Sequence, residues 1–131
     1  MVSPIRLDNG ISVSPQVQPA DLAWLAAQGF KTIINNRPDG EEPNQPTSAQ
    51  MQQAAQEAGL HYIHQPVISG AISQQNIDEF GTLLADAEGP VFAFCRTGTR
   101  CSALWASSGD DFESRSAIAK SCGYDLSFLN K

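Results

Sequence analysis

Four consecutive apolar residues, Val91-Phe92-Ala93-Phe94, run straight into the hexapeptide Cys95-Arg96-Thr97-Gly98-Thr99-Arg100, and this junction limits what the chain can fold into. A strand that is apolar on both sides of its pleat needs cover on both faces, which is the situation of a central strand in a parallel sheet. Behind the loop, Ser102-Ala103-Leu104-Trp105-Ala106 reads as a buried helix. In sheets of this kind ligands bind beyond the carboxyl ends of the strands, and Cys95 stands at such an end.

The rest of the chain supplies the remaining layers. Ile5 to Val13 alternates apolar and polar residues around Asn9-Gly10, a pair suited to the turn of a hairpin. A first helix is expected from about Pro19 to Gln28, closed by Gly29, and then a β-branched strand over Phe30 to Asn35. That strand ends in the turn formers Asn36-Arg37-Pro38-Asp39-Gly40. Thr47 and Gln50 match a capping box for a helix over Ala49 to Ala58, stopped by Gly59. Leu60 to Val67 reads as strand, and Ser73 caps a helix carrying Ile77, Phe80, Leu83 and Leu84, with Gly89-Pro90 as its stop. A last helix is expected from about Asp110 to Cys122, ending at Gly123, with the aromatics of Tyr124 to Leu129 packed back on the core.

Strands alternating with helices imply an α/β fold with a small, mostly parallel central sheet flanked by helices on both faces. At 131 residues the chain fits one domain over 1–131, which buries roughly two-thirds of its unfolded surface. No stretch nears the roughly 20 apolar residues that span a membrane, and the opening residues lack the pattern of a secretory signal, so the expected location is the cytoplasm. A net charge of −6 with no run of Lys or Arg argues against nucleic acid as a partner. Three cysteines do not form a disulfide framework and leave room for thiol chemistry.

A thiol is a useful nucleophile at neutral pH only as thiolate. A helix N-terminus and the flanking cations Arg96 and Arg100 all favour that form, so Cys95 should have a lowered pKa. The same loop is a receptor for an oxyanion. Gly98 permits a turn that aims backbone N–H groups inward, Thr97 and Thr99 offer hydroxyls, and a guanidinium grips two oxygens at once. Substrate contacts are therefore expected from Arg96, Thr97, Gly98, Thr99 and Cys101, with Cys101 alternatively packing on the sheet or resolving an oxidised Cys95. Asp39 and Arg37 are candidates from the turn cluster, Asp39 either as an acid or as a shaper of the pocket. Glu41 and Glu42 read as a solvated stretch. His61 and His64 sit three apart on a strand and point to opposite faces, so neither a metal nor a cofactor is expected.

The hexapeptide with its strand and helix resembles the phosphate-binding loop of cysteine-dependent phosphatases and the active loop of rhodanese sulfurtransferases. Such phosphatases usually have five residues between Cys and Arg; four stand here, as in rhodanese-type loops. The wider pattern, Asn36-Arg37-Pro38-Asp39-Gly40-Glu41, His61-Tyr62-Ile63 with Pro66-Val67, and then CRTGTRCSALW, is similar to the phosphatase-like domain of β-lactamase-hydrolase-like proteins. That resemblance implies a protein-tyrosine-phosphatase-like, dual-specificity-phosphatase-like fold, with Cys95 as nucleophile and Arg100 as anion clamp. It further implies a persulfide dioxygenase of metallo-β-lactamase fold as a partner.

Two positions depart from the phosphatase pattern. Phe94 stands where His is common, and Ile68-Ser69-Gly70 stands where small phosphatases place an acidic Asp. A positioned acid contributes roughly 10²- to 10⁴-fold to ester cleavage, whereas expelling sulfite or a thiolate needs little protonation. The expected activity is thus sulfur transfer through a Cys95 persulfide, drawing on thiosulfate or a persulfide. The alternatives are a phosphatase acting on a phosphate ester through a cysteinyl-phosphate, and a binding module for an oxyanion or phosphorylated ligand without turnover.

Overall fold

Phe92 and Phe94 point to one side of their strand while Val91 and Ala93 point to the other, and each side meets its own apolar layer. In the computed structural model, which describes residues 2–129, that strand is the middle one of five. The strands are β1 (Ile5–Arg6), β2 (Ile11–Ser14), β3 (Thr32–Asn35), β4 (His61–His64) and β5 (Val91–Phe94), in the spatial order β1-β2-β5-β3-β4. Only β1 runs antiparallel, pairing Ile5 with Val13 around the Asn9-Gly10 turn. The mostly parallel sheet flanked by helices is the architecture expected from the sequence.

One layer gathers Leu22 and Leu25 of α1 (Asp21–Ala27) and Met51 and Ala55 of α2 (Ser48–Glu57) over Ile33, Phe92 and Phe94. The opposite layer packs Ile77 and Phe80 of α3 (Gln74–Asp86) and Leu104 and Trp105 of α4 (Thr99–Ser108) on Val13, Ile34 and Ala93. Ala119 of α5 (Phe112–Ser121) joins that second layer. Burying an aromatic or branched side chain of this size contributes about 1.5–3 kcal/mol each, so β5 and β3, which face both layers, tie them to the sheet.

Local signals set the helix starts. Thr47 and Gln50 form the reciprocal capping box of α2, and Ser73 does the same with Asn76 for α3. The strand expected over Leu60 to Val67 is shorter, because Pro66 has no N–H to extend the ladder. Gln65 and Val67 still donate to the carbonyls of Asn35 and Asn36, which carries the chain beside the end of β3. In the C-terminal tail Tyr124 and Leu126 are buried as expected, whereas Phe128 is 54% exposed. No helix among the described residues is long and apolar enough to cross a membrane.

Candidate active site

Strand β5 carries Cys95 to the carboxyl edge of the sheet, and α4 starts four residues later, so the sulfur lies beneath the first turn of a ten-residue helix. Gly98 makes the turn with φ at +94°, a value only glycine adopts readily, and its N–H donates to Cys95 Sγ at 3.1 Å. The Cys95 pKa falls from 9.0 to about 5. The largest cause is a hydrogen bond from the Cys101 side chain. Burial opposes it, and the backbone N–H groups of Cys101 and Gly98 and the charge of Arg100 add to it. At neutral pH the sulfur is therefore a thiolate.

The lowered pKa matches expectation, and two of the expected causes, the helix N-terminus and Arg100, act on the sulfur, whereas Arg96 is not among them. Arg96 is exposed and its carbonyl accepts from Gln16 N–H; among the described residues the cation acting on the sulfur is Arg100. Cys101, expected to touch substrate, to pack on the sheet or to resolve an oxidised Cys95, is fully buried in the core layer with Ala93, and its thiol is hydrogen-bonded to the Cys95 sulfur. Burial and the neighbouring thiolate push the Cys101 thiol well up, so its proton stays on and is shared with Cys95. Cys122 lies apart at the end of α5.

Arg100 is the residue that the sequence placed, and Glu41 is the one it missed. The guanidinium holds both oxygens of Glu41, Nη1 to Oε2 at 2.8 Å and Nη2 to Oε1 at 2.9 Å, and Nη1 also donates to the Val67 carbonyl. Glu41 in turn accepts from Nε of Arg37 at 2.8 Å, and Arg37, fully enclosed, also donates to Gln16 and Glu42. Glu42 is exposed as expected, with its side chain at 58%, but the Glu41 side chain is only 24% exposed and joins two buried cations. These contacts hold the Glu41 carboxyl below its usual range, chiefly through the hydrogen bond from Arg100. Its one local signal was the four-residue spacing from Arg37; Arg100 is 59 residues away.

Of the five N–H donors of Arg100, the Glu41 and Val67 contacts use three. Among the described residues the Nε–H and the second Nη2–H have no protein acceptor. Those two form a parallel edge suited to an oxyanion. The backbone N–H groups of Arg96 and Thr97 likewise have no acceptor among the described residues. Thr97 and Thr99 are linked to each other, Thr97 Oγ1 donating to Thr99 Oγ1 at 2.9 Å and accepting from Thr99 N–H. Cys95 itself has no exposed surface.

Asp39 accepts from the N–H of Ser48 at 2.8 Å, at the start of α2, and is exposed there. Its contact is with a helix end, as a loop-shaping role requires. Ile68, in the turn after Val67, is 66% exposed. His64 contacts the Arg37 carbonyl and His61 contacts Glu88. No group of three or more His, Cys, Asp and Glu among the described residues could hold a metal ion.

Residues 5–111 match the profile of the beta-lactamase hydrolase-like protein, phosphatase-like domain. The chain belongs to this family. A Beta-lactamase hydrolase-like protein of Agrobacterium fabrum is 46% identical to the phosphatase-like domain over 101 residues, 77% of this chain and 23% of the relative. The chain thus spans about a quarter of the length of its curated relatives. A solved structure from Neisseria meningitidis, named as a candidate phosphatase, is 41% identical and superposes with a TM-score of 0.84, covering 95% of this chain and 92% of the other. TpbA of P. aeruginosa in complex with pTyr shares the fold of the domain at 16% identity, with a TM-score of 0.67 over 95% of this chain and 76% of the other. These likenesses favour the phosphatase alternative over sulfur transfer.

Proposed function

We propose that this phosphatase-like domain is a cysteine-dependent phosphatase that works through a cysteinyl-phosphate, on a small anionic phosphate ester, in the cytoplasm. The observation that carries this reading is the pairing of an ionised Cys95 sulfur with an unshared Nε/Nη2 edge of Arg100 in the same loop. The Cys95 thiolate attacks phosphorus, the ester P–O bond breaks, and the leaving oxygen departs with the electron pair. Water then attacks the cysteinyl-phosphate, returning the thiolate and releasing inorganic phosphate. Arg100 and the loop amides hold the phosphoryl oxygens where charge is redistributed.

Chemistry narrows the substrate. Ile68-Ser69-Gly70 supplies no carboxylate at the acid's usual place, Asp39 is tied to Ser48, and Glu41 is ionised between two arginines. A leaving group that departs unassisted is favoured, which means an aryl phosphate such as phosphotyrosine ahead of an alkyl phosphate. The test is phosphate release from a series of aryl and alkyl phosphates by wild type and Cys95→Ser. Release that is lost with Cys95→Ser and falls steeply as the leaving-group pKa rises supports the reading. Release indifferent to Cys95→Ser ends it.

A second reading rests on the four-residue Cys-to-Arg spacing and on the same missing acid. In it the thiolate attacks the outer sulfur of thiosulfate, the S–S bond breaks, sulfite leaves, and Cys95 holds a persulfide for a nucleophilic acceptor. A persulfide dioxygenase of metallo-β-lactamase fold is then the natural partner. Mass spectrometry of the thiosulfate-treated protein distinguishes the two, since only sulfur transfer adds one sulfur to Cys95.

A further inference from the structure

The peptide between Thr97 and Gly98 is held from both ends. Its N–H donates to Cys95 Sγ at 3.1 Å, and its C=O accepts from the Tyr124 hydroxyl at 3.1 Å. Tyr124 reaches this place because α5 ends at Cys122 and Gly123 takes φ of +101°, which turns the chain back over the first turn of α4. The Tyr124 ring is so close to the loop that a Cβ on Gly98 would meet the hydroxyl oxygen at 2.2 Å and Cζ at 2.8 Å. Gly98 therefore serves two ends: the left-handed turn, and room for this tyrosine. Tyr124 lies beyond residues 5–111 that define the family match, on a segment the loop motif gives no hint of.

We propose that Tyr124 is a positioning residue of the active site, its hydroxyl fixing the Thr97–Gly98 peptide in the orientation that delivers the Gly98 N–H to the Cys95 sulfur. The physical reason is twofold. A peptide anchored at its carbonyl cannot flip its N–H away from the sulfur. A carbonyl that accepts a hydrogen bond also polarises its own amide, which makes the N–H on the other side a better donor by something like 10–30%. The hydroxyl is suited to the task, because burial first and then the Cys95 charge push its pKa up to about 12, so it stays protonated and keeps a proton to donate to Thr97. The other groups acting on the sulfur are Arg100 and Cys101 of α4, with Glu41 behind Arg100, and none of them touches this peptide.

The proposal concerns the sulfur rather than the atom it attacks, so it holds for phosphate and sulfur chemistry alike. Its test is the rate of Cys95 alkylation by iodoacetamide as a function of pH, in wild type and Tyr124→Phe, with unfolding curves recorded beside it. Tyr124→Phe keeps the ring on Gly98 and removes only the donor. The expected result is an inflection raised by about 0.5 pH unit, which at pH 5 roughly halves the alkylation rate. An unchanged inflection, whatever happens to stability, overturns the proposal. Should Tyr124→Phe not fold, wild type grown with ring-fluorinated tyrosine replaces it, in a Tyr62→Phe background so that Tyr124 alone carries the label. A stronger phenol donor lowers the inflection, and an unmoved inflection overturns the proposal there too. Absence of any phosphatase turnover leaves this readout intact, so the two readings fail separately.

Discussion

Arg100 and Glu41 face each other through two parallel hydrogen bonds of 2.8 and 2.9 Å, although 59 residues separate them in the chain. The end of the guanidinium is spent on the carboxylate, and its side edge is what an oxyanion can use. Arg37 grips the same carboxylate from behind. Glu41 therefore sets the orientation of Arg100, and the loop that carries Glu41 becomes part of the site.

Replacing Glu41 with Ala should free Arg100 to rotate and leave two enclosed cations short of an acceptor. The expected loss is about 1–3 kcal/mol of stability and a ten- to hundred-fold drop in kcat/KM, of the order caused by misplacing a binding group by about 1 Å. Steady-state assays with an aryl phosphate and urea unfolding check both numbers. Normal kcat/KM would show that Arg100 needs no partner.

The Glu41 pair also has a pH signature. Its folded pKa lies below the ordinary 4.5, so the pair's contribution is complete above pH 4.5 and is lost as pH falls through the lower folded value. The stability gap between wild type and Glu41→Gln should be constant near neutrality and close in acid. A gap that persists at the lowest pH would assign the stabilisation to packing instead.

Cys95 titrates near pH 5 against an ordinary 9.0, so its folded pKa is the lower one. Its stabilising effect therefore grows from pH 5 towards pH 9, by at most about 1.4 kcal/mol per pH unit, and vanishes below pH 5. Relative to Cys95→Ser, wild type should gain stability with pH across that window. Alkylation should be near its plateau by pH 7, and an inflection close to that of free cysteine would contradict the assignment.

Cys101 is the largest single influence on that sulfur. Cys101→Ala removes a hydrogen bond to a charged group, worth about 1.5–3 kcal/mol, and should raise the Cys95 inflection by about one to two pH units. The measurement is again alkylation against pH. An inflection that stays put would mean that the backbone N–H groups and Arg100 hold the thiolate unaided.

Phe92 packs edge-on against Phe30, with ring centres 5.5 Å apart, in the layer under α1 and α2. Phe92→Ala should cost about 3–5 kcal/mol in chemical unfolding, through lost burial and the cavity left behind. A cost under 1 kcal/mol would mean that this face of the sheet is not the second core.

By itself the sequence determined the elements and placed the candidate nucleophile at the end of the central strand. A strand apolar on both faces has to be central, the capping box at Thr47 and the cap residue Ser73 mark helix starts, and the Cys-Gly-Arg spacing puts Cys95 and Arg100 at one strand-to-helix junction. All of this depends on interactions between near neighbours in the chain, which periodicity and turn chemistry can read. Even there, Pro66 cut β4 short and Phe128 stayed outside.

The partners that lie far from the loop in the chain were decided by tertiary structure. Glu41 looks like any acid in a polar turn and Tyr124 like any tail aromatic, until the folded chain brings the ends of β3, β5 and α5 to one edge of the sheet. Charge pairing and hydrogen bonding act over about 3 Å in space, whatever the separation along the chain. Composition and spacing hold no record of such contacts, so the partners that tune Cys95 and aim Arg100 emerged only once the chain was folded.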